Sequence, residues 1–189
     1  MVIASQSDKN RVVEILANSF QENKSVNYII PQDSLRKDRI EKLMAYSFDV
    51  CKQFGEVLLS DDGNGCALVL LPDKKKTTLQ SIGWDVKFIF NCIGLGNVKK
   101  ALDREGKIKK LQPKESLYYL WFIGVDPQYQ KAGTGSKLLQ EVISRGRAAK
   151  RTICLETSTI KNLPWYQKFG FEIYNELDLG YNLFFLKQN

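Results

Sequence analysis

The chain has 189 residues, of which 43% are hydrophobic and 26% charged, and its formal net charge is +7. It contains no histidine, which excludes Ser-His-Asp triads, Cys-His dyads and Cys/His zinc sites, so no metal is expected. The basic balance attracts anions in general, so nucleic acid, anionic lipid and a phosphorylated cofactor all remain open partners at this point.

The cysteines and the first residues indicate the cellular environment. Cys51, Cys66, Cys92 and Cys154 are scattered and form no C-x-x-C pair, so we expect buried apolar thiols in a reducing compartment. Residues 1–11 lack the pattern of a signal peptide, and no run approaches the ~20 apolar residues that span a bilayer. These features predict a soluble, cytoplasmic protein with no membrane partner.

The N-terminal half of the sequence predicts two helices and a hairpin. An apolar start at residues 1–4 is typical of an edge strand. Apolar residues at helical spacing predict one helix over about residues 12–20 and another over about residues 40–51. Strand-like runs at residues 56–60 and 66–71 flank a turn rich in Asp, Asn and Gly, which indicates a hairpin.

Residues 77–114 form the segment whose fold the pattern defines least. Trp84, Phe88 and Cys92 recur at intervals of four residues, which indicates a helix, and residues 97–105 indicate another. Such an apolar stripe belongs more often to a core than to a binding surface, and both interpretations stay open here. We treat the segment as a helical insertion.

The C-terminal half carries the stronger pattern. Residues 117–125 form a nearly continuous apolar and aromatic run, typical of a strand covered on both faces. Apolar residues from Leu138 to Gly146 predict an amphipathic helix. The remaining predicted elements are a strand at 152–157, a helix at about 162–169, and strands at 171–177 and 181–186. The whole chain, residues 1–189, is therefore expected to form one mixed α/β (α+β) domain.

A glycine-containing loop, Gln-Lys-Ala-Gly-Thr-Gly at residues 130–135, lies between the buried strand and the amphipathic helix. The unpaired N–H groups of a helix N-terminus attract anions, and glycines let phosphate approach the backbone. Alone, the pattern suits an ordinary strand-to-helix turn equally well. It is not a dinucleotide fingerprint, because Leu138 replaces the third glycine. It is not a P-loop either, because residues 135–137 lack the Gly-Lys-Ser/Thr order.

In its wider context this loop resembles a known family. The order strand, Gln-x-x-Gly-x-Gly, helix is the cofactor signature of the GNAT superfamily of acetyl-CoA-dependent N-acetyltransferases. The chain continues as that family does, with Leu-Glu-Thr-Ser at residues 155–158, Asn-Leu-Pro-Trp-Tyr at 162–166 and Phe-Gly-Phe at 169–171. The resemblance covers about residues 117–186 in order and spacing, whereas the first half matches only in its coarse helix and strand order.

The resemblance implies one GNAT-like domain with a mixed central sheet of about six to seven strands flanked by helices. Residues 1–114 would form the acceptor side, with the insertion near 77–114, and residues 115–189 the acetyl-CoA-binding core. The parallel strands at 117–125 and 152–157 would splay apart at their C-terminal ends around the pantetheine arm. The positions that match the family's cofactor site are Ile123, Gly124, Val125, Gln130, Lys131, Ala132, Gly133, Thr134, Gly135, Ser136, Asn162 and Tyr166.

The resemblance also implies particular roles at this site. The backbones of Ile123 and Val125 would pair with the pantetheine arm. Many relatives carry a basic residue where this chain has Ala132, so either Lys131 supplies that charge or nothing does. Tyr166 would protonate the leaving thiolate, since a phenol with a pKa near ~10 is protonated at neutral pH. Asn162, one helical turn earlier, would either bond the pantetheine arm or cap the helix.

The general base is the open point of the predicted chemistry. Many relatives place a glutamate in the strand before the loop, and residues 117–125 contain none. Glu156 on the next strand is the candidate catalytic base, acting through water, while a solvated or salt-bridged role for it stays open. Glu115 and Tyr119 are weaker candidates.

The sequence thus predicts a transferase that moves the acetyl group of acetyl-CoA to a primary amine by direct attack in a ternary complex. Trp121 and residues 118–119 would help to line the acceptor pocket. The alternative is a CoA-binding sensor or interaction module without turnover. A nucleic-acid partner is disfavoured, because the aromatic residues lie in a strand predicted to be buried. The identity of the amine and the oligomeric state, including a homodimer, stay open.

Overall fold

A mixed sheet of seven strands organises the part of the chain that the computed structural model describes, residues 1–188. The strands are β1 (Val2–Ile3), β2 (Gly55–Leu59), β3 (Gly65–Leu70), β4 (Leu117–Val125), β5 (Thr152–Thr157), β6 (Phe171–Asp178) and β7 (Asn182–Gln188). They lie in the order β1-β2-β3-β4-β5-β7-β6. β4 and β5 pair in parallel and the other neighbours pair antiparallel. The predicted mixed sheet is confirmed.

Helices cover both faces of this sheet. They are α1 (Lys9–Ser19), α2 (Lys24–Ile29), α3 (Arg36–Phe54), α4 (Leu79–Phe88), α5 (Val98–Leu111), α6 (Thr134–Ala148) and α7 (Leu163–Lys168). The apolar sides of α1 and α3 pack against one face, and those of α6 and α7 against the other. β4 contributes Phe122 to the first core and Leu120 to the second, which confirms a strand covered on both faces.

The segment at residues 77–114 contains α4 and α5. α4 continues into a π-helical turn at Ile89–Ile93, and α5 reaches Leu111, beyond the end that the spacing predicts. Ile108 anchors α5 to the sheet by packing against Leu183 and Phe185 of β7. The short helix α2 was not predicted, since its six residues hold too few apolar positions to show a period.

β4 and β5 are neighbours over only part of their length. Their register pairs Leu117, Tyr118 and Tyr119 with residues 152–154 and then stops, although both strands continue. This divergence is the predicted splay. From residue 120 onward the edge of β4 that faces β5 has no strand partner, so its backbone groups face an open gap.

A β-bulge interrupts β4 at the start of this gap. Leu68 lies opposite Phe122 and Val69 lies opposite Leu120, so Trp121 has no partner on β3. Because β5 has already diverged, Trp121 lacks a strand partner on either side. Side chains at residues 121 and 122 both pack toward α1 and α3. The sequence did not predict the bulge, because a bulge is a property of the register between two strands.

The four cysteines are buried and form no disulfide, as the sequence predicted. None of the helices in residues 1–188 combines the length and the apolar character needed to cross a bilayer. Within the same residues, no group of three or more His, Cys, Asp or Glu side chains is arranged to hold a metal ion.

α6 packs so closely on the sheet that Gly146 leaves no room for a side chain. A Cβ there would lie 2.4 Å from Ile153 Cγ1 and 3.2 Å from Tyr118 Cδ1. We predict that Gly146→Ala lowers the free energy of unfolding by about 1–3 kcal/mol. Gly106→Ala, in α5 with nothing within 4 Å of the new Cβ, should raise it by up to about 1 kcal/mol. Urea denaturation measures both free energies of unfolding. The prediction would be contradicted if Gly146→Ala were as stable as Gly106→Ala.

Candidate active site

A cavity of about 930 Å³ passes through the gap between β4 and β5. It runs from the loop before α6, on one face of the sheet, to α4 and α5 on the other. The predicted cofactor positions, together with Tyr166 and Glu156, all line it except Ala132. The fold therefore gathers the predicted cofactor positions, Tyr166 and Glu156 around one continuous space.

Two residues in the left-handed region shape the loop before α6. Lys131 has φ 71° and Gly133 has φ 83°, and a positive φ is uncommon for a residue other than glycine. Turns of this kind direct successive backbone N–H groups into one concavity, which suits an anion. α6 begins at Thr134, so the N–H groups of its first turn add further donors and a positive dipole end.

Several side chains of the loop are engaged with the protein itself. The hydrogen bonds run from Gln130 Nε2 to Val125 O (3.2 Å), from Thr134 Oγ1 to Asp62 Oδ2 (3.4 Å) and from Trp165 Nε1 to Ser136 Oγ (3.2 Å). These bonds fasten the loop to β4, to the β2–β3 turn and to α7. Because Ser136 accepts in its bond, the donors left to an anion are the backbone amides, the Ser136 hydroxyl and the Lys131 ammonium.

The gap-facing edge of β4 offers further backbone groups. Asp126 N donates to Asn64 O at 2.8 Å, and alternate residues of an antiparallel strand point toward the partner strand. The N–H and C=O groups of Ile123 and Val125 consequently point away from β3 and into the gap. Val125 O already accepts a hydrogen bond from Ser19 Oγ at 2.9 Å. The backbone groups of Ile123 are therefore more available to a ligand than those of Val125. Ser19 carried no signal in the sequence.

Tyr166 reaches the cavity from α7. Its side chain is 5% exposed and packs between the rings of Trp165 and Phe171, whose centroids lie 4.8 and 5.8 Å away. Among residues 1–188 its hydroxyl has no hydrogen-bond partner. Burial raises the pKa of Tyr166, because a phenolate is poorly solvated there. The group is therefore a fixed, neutral proton donor beside the gap.

Glu156 approaches the cavity from the opposite face of the sheet. Its carboxyl oxygens accept hydrogen bonds from Tyr119 OH at 2.5 Å and from Gln112 Nε2 at 3.0 Å. Burial raises the pKa of Glu156, although both hydrogen bonds oppose the rise. Burial and the adjacent Glu156 also raise the pKa of Tyr119, so this phenol stays a donor. Within residues 1–188 Glu156 has no ion-pair partner, which corrects the salt-bridged interpretation.

Two polar side chains near α7 also face the cavity. Asn162 precedes α7 but makes no capping hydrogen bond, so the geometry favours its ligand-facing interpretation over the cap. The Ser158 hydroxyl is buried and has no hydrogen-bond partner in the described residues. A buried hydroxyl left unpaired costs about 1–3 kcal/mol, so Ser158 is suited to a ligand that supplies a partner. The sequence gave it no role.

Aromatic rings form one wall of the cavity on the α4 side. Tyr46 stacks on Phe88 with centroids 4.5 Å apart and meets Trp121 edge-on at 6.3 Å. Tyr46 OH donates to Asp85 Oδ1 at 2.7 Å, which fixes the ring between α3 and α4. The wall combines a large apolar surface with a few polar atoms, as small-molecule sites do.

The stripe of Trp84, Phe88 and Cys92 divides between core and cavity, and Tyr118 does not join the expected acceptor wall. Cys92 is buried and Trp84 packs against the α1–α3 core, so neither lines the cavity. Tyr118 points to the face opposite Tyr119, because successive side chains of a strand alternate. Its hydroxyl donates to Glu56 Oε2 at 3.0 Å in the other core. Periodicity alone could not separate these residues from Phe88, which does line the cavity.

A known family model matches part of the chain. Residues 91–173 match the family model of the acetyltransferase (GNAT) domain, and this range includes β4, the loop, α6, β5 and α7. In this range the chain is similar to the acetyltransferase (GNAT) domain.

Solved structures share the GNAT fold over nearly the whole chain. One is described as histone acetyltransferase HPA2 and related acetyltransferase from Corynebacterium glutamicum ATCC 13032. It is 19% identical with a TM-score of 0.74, and the match covers 99% of this chain and 93% of that one. The C-terminal condensation domain of Ebony, in complex with beta-alanyl-dopamine, is 11% identical with a TM-score of 0.70 and coverages of 99% and 96%. An N-acetyltransferase from Staphylococcus aureus Mu50 is 17% identical with a TM-score of 0.58 and coverages of 97% and 97%.

The left-handed geometry of the loop before α6 leads to a prediction. We expect Gly133→Ala to weaken binding of CoA about tenfold, because an L-residue held at positive φ costs about 1–2 kcal/mol and displaces the loop amides. Gly180→Ala, at φ 82° in the β6–β7 turn, is the matched control with similar strain far from the loop. Calorimetric titration with CoA measures both affinities. Equal affinities in the two variants would show that the loop conformation does not matter for binding.

Proposed function

We propose that this protein is an N-acetyltransferase that transfers the acetyl group of acetyl-CoA to a primary amine within a ternary complex. The observation that carries the proposal is one cavity that joins the loop, the unpaired edge of β4, Tyr166 and Glu156. The orphaned Ser158 hydroxyl fits an extended amide-bearing arm in the gap, because such an arm supplies hydrogen-bond partners. The GNAT match over residues 91–173 supports the same conclusion.

The binding roles follow from which donors are free. The loop amides and Lys131 would hold the pyrophosphate at the positive end of α6. The backbone edge at Ile123 would pair with the pantetheine arm as a neighbouring strand does. A backbone N–H of β4 beside the bulge at Trp121 would stabilise the oxyanion, since no strand partner occupies that stretch.

The proton transfers divide between the two faces of the sheet. In the proposed transfer, a bond forms between the amine nitrogen and the acetyl carbon while the bond from that carbon to sulfur breaks. Tyr166 gives its proton to the departing thiolate. Glu156 accepts a proton from the amine through water, and the raised pKa makes its carboxylate a better acceptor than an exposed one. Tyr119 and Gln112 orient the Glu156 carboxyl.

The test begins with calorimetric titration of the purified protein with acetyl-CoA. Thiol release is then followed on the same sample against a panel of small amines, amino acids and short peptides. Saturable binding with release for at least one acceptor is the expected result. Failure to bind acetyl-CoA would overturn the cofactor site, and binding without release from any acceptor would favour the non-catalytic CoA-binding module.

Tyr166→Phe separates catalysis from binding. We predict that it lowers kcat by about 10²-fold, as loss of a positioned proton donor does. The affinity for CoA should stay close to that of the wild type, because the ring keeps its packing against Trp165 and Phe171. Steady-state kinetics and calorimetry give the two values. Parallel loss of both would indicate a structural role.

Glu156→Gln should change the pH dependence of the reaction. A base must be deprotonated to act, so wild-type kcat/KM should rise with pH through the raised pKa of Glu156. Glu156→Gln should remove this rise from the pH profile and lower kcat about 10²-fold. The rise that comes from deprotonation of the amine substrate should remain. Glu115→Gln is the control, since Glu115 does not line the cavity. An unchanged profile in Glu156→Gln would exclude it as the base.

A further inference from the structure

Arg104 on α5 places a guanidinium without an acidic partner in the wall of the cavity. Its Nη2 donates to Ser25 Oγ at 2.5 Å and its Nε donates to Tyr181 OH at 3.4 Å. Among residues 1–188 it forms no ion pair. A guanidinium carries five N–H donors, and two neutral hydroxyls leave most of that capacity unused. A charge that is removed from water in this way is suited to an anionic ligand.

Arg104 lies close enough to the proposed base for its charge to act there. Burial is the largest influence on the pKa of Glu156 and raises it, whereas the charge of Arg104 lowers it. Both side chains line the cavity, on the face of the sheet that α5 covers. This half of the cavity therefore has a carboxyl group, Glu156, at the β5 wall, and the Arg104 guanidinium with Glu105 and Lys109 at the α5 wall.

We propose that Arg104 binds a carboxylate of the acceptor, so that the amine acetylated by this protein is an α-amino acid. The inference rests on the proposed function and names its substrate class. A guanidinium presents parallel N–H donors that match a carboxylate in a bidentate pair. With the carboxylate on Arg104, the amino group of a zwitterion lies toward Glu156, which is where a proton must leave.

The aromatic wall of the cavity indicates which side chain the acceptor carries. Tyr46, Phe88 and Trp121 present aromatic faces to the same space. Such rings favour burial of apolar or aromatic groups, and offset or edge-on ring pairs add to that burial. The acceptor that fits both the charges and the rings is an aromatic or large apolar amino acid with a free amino group.

Matched ligand pairs test the role of Arg104 on protein saturated with CoA. The probes are L-phenylalanine with phenethylamine, and L-leucine with isopentylamine, because the members of each pair differ only in the carboxylate. Calorimetry should show that the wild type binds the amino acid about 10- to 100-fold more tightly than the amine, the effect of one charge-assisted hydrogen-bond pair. Arg104→Met should abolish that preference, and Arg104→Lys should retain part of it.

Lys107→Met is the matched control for the loss of one positive charge. Lys107 lies one turn from Arg104 on α5. Both residues line an outer groove of about 330 Å³, but only Arg104 also lines this cavity. The preference for the amino acid should therefore persist in this variant. Circular dichroism, the melting temperature and the affinity for CoA show whether each variant is folded.

Several outcomes overturn the inference. They are equal binding of amino acid and amine by the wild type, absence of binding by both amino acids, and an unchanged preference in folded Arg104→Met. A lower melting temperature as the sole effect of Arg104→Met would assign the residue to holding α2 against the β6–β7 turn. Binding that depends on Arg104 but yields no thiol would refute the proposed acetyl transfer and keep the site. Efficient acetylation of amines that lack a carboxylate would support acetyl transfer and refute the carboxylate site at Arg104.

Discussion

The divergence of β4 from β5 after three paired positions is the constraint on which the rest of the site depends. Backbone groups exposed inside a sheet are unfavourable unless something satisfies them. Here the end of β4 is held in place from the other side. Arg11 on α1 forms an ion pair with Asp126 at 3.1 Å and donates to Gly63 O in the β2–β3 turn at 2.8 Å. The gap is therefore built into the packing of α1 and β3 against β4.

The two faces of the sheet supply different chemistry to this gap. α6 and α7 bring the amide-rich loop and a neutral phenol, Tyr166. Gln112, just after α5, donates to Glu156, and Arg104 on α5 lines the same cavity. Burial raises the pKa of both Tyr166 and Glu156, with opposite consequences for the proton transfers proposed for them. The phenol becomes a poorer acid that keeps its proton until a strong base appears, whereas the carboxylate becomes a stronger base. A single physical effect, desolvation in a shared cavity, prepares both groups.

Local sequence patterns were sufficient to predict much of the fold. The apolar run of β4, the stripe of α6 and the turn residues between β2 and β3 are each encoded within a short segment. Their order around the loop was sufficient to indicate the GNAT family. The same patterns did not reveal the bulge at Trp121, the short helix α2 or the full length of α5. Ala132 matched the family's positions in sequence, yet the turn at φ 71° and 83° on either side leaves it outside the cavity.

By itself the sequence determined the identity and order of the elements from β4 to β7, and the residues of the glycine-containing loop before α6. These depend on the spacing of apolar and glycine residues, which is local information. Only the tertiary structure decided which polar groups are engaged and which are free. Gln130 and Ser136 are bonded within the protein, and Ser158 is left unpaired. The charge of Arg104 acts on Glu156, which is distant in the sequence. Such pairings follow from strand register and helix packing, which no short window of the sequence contains.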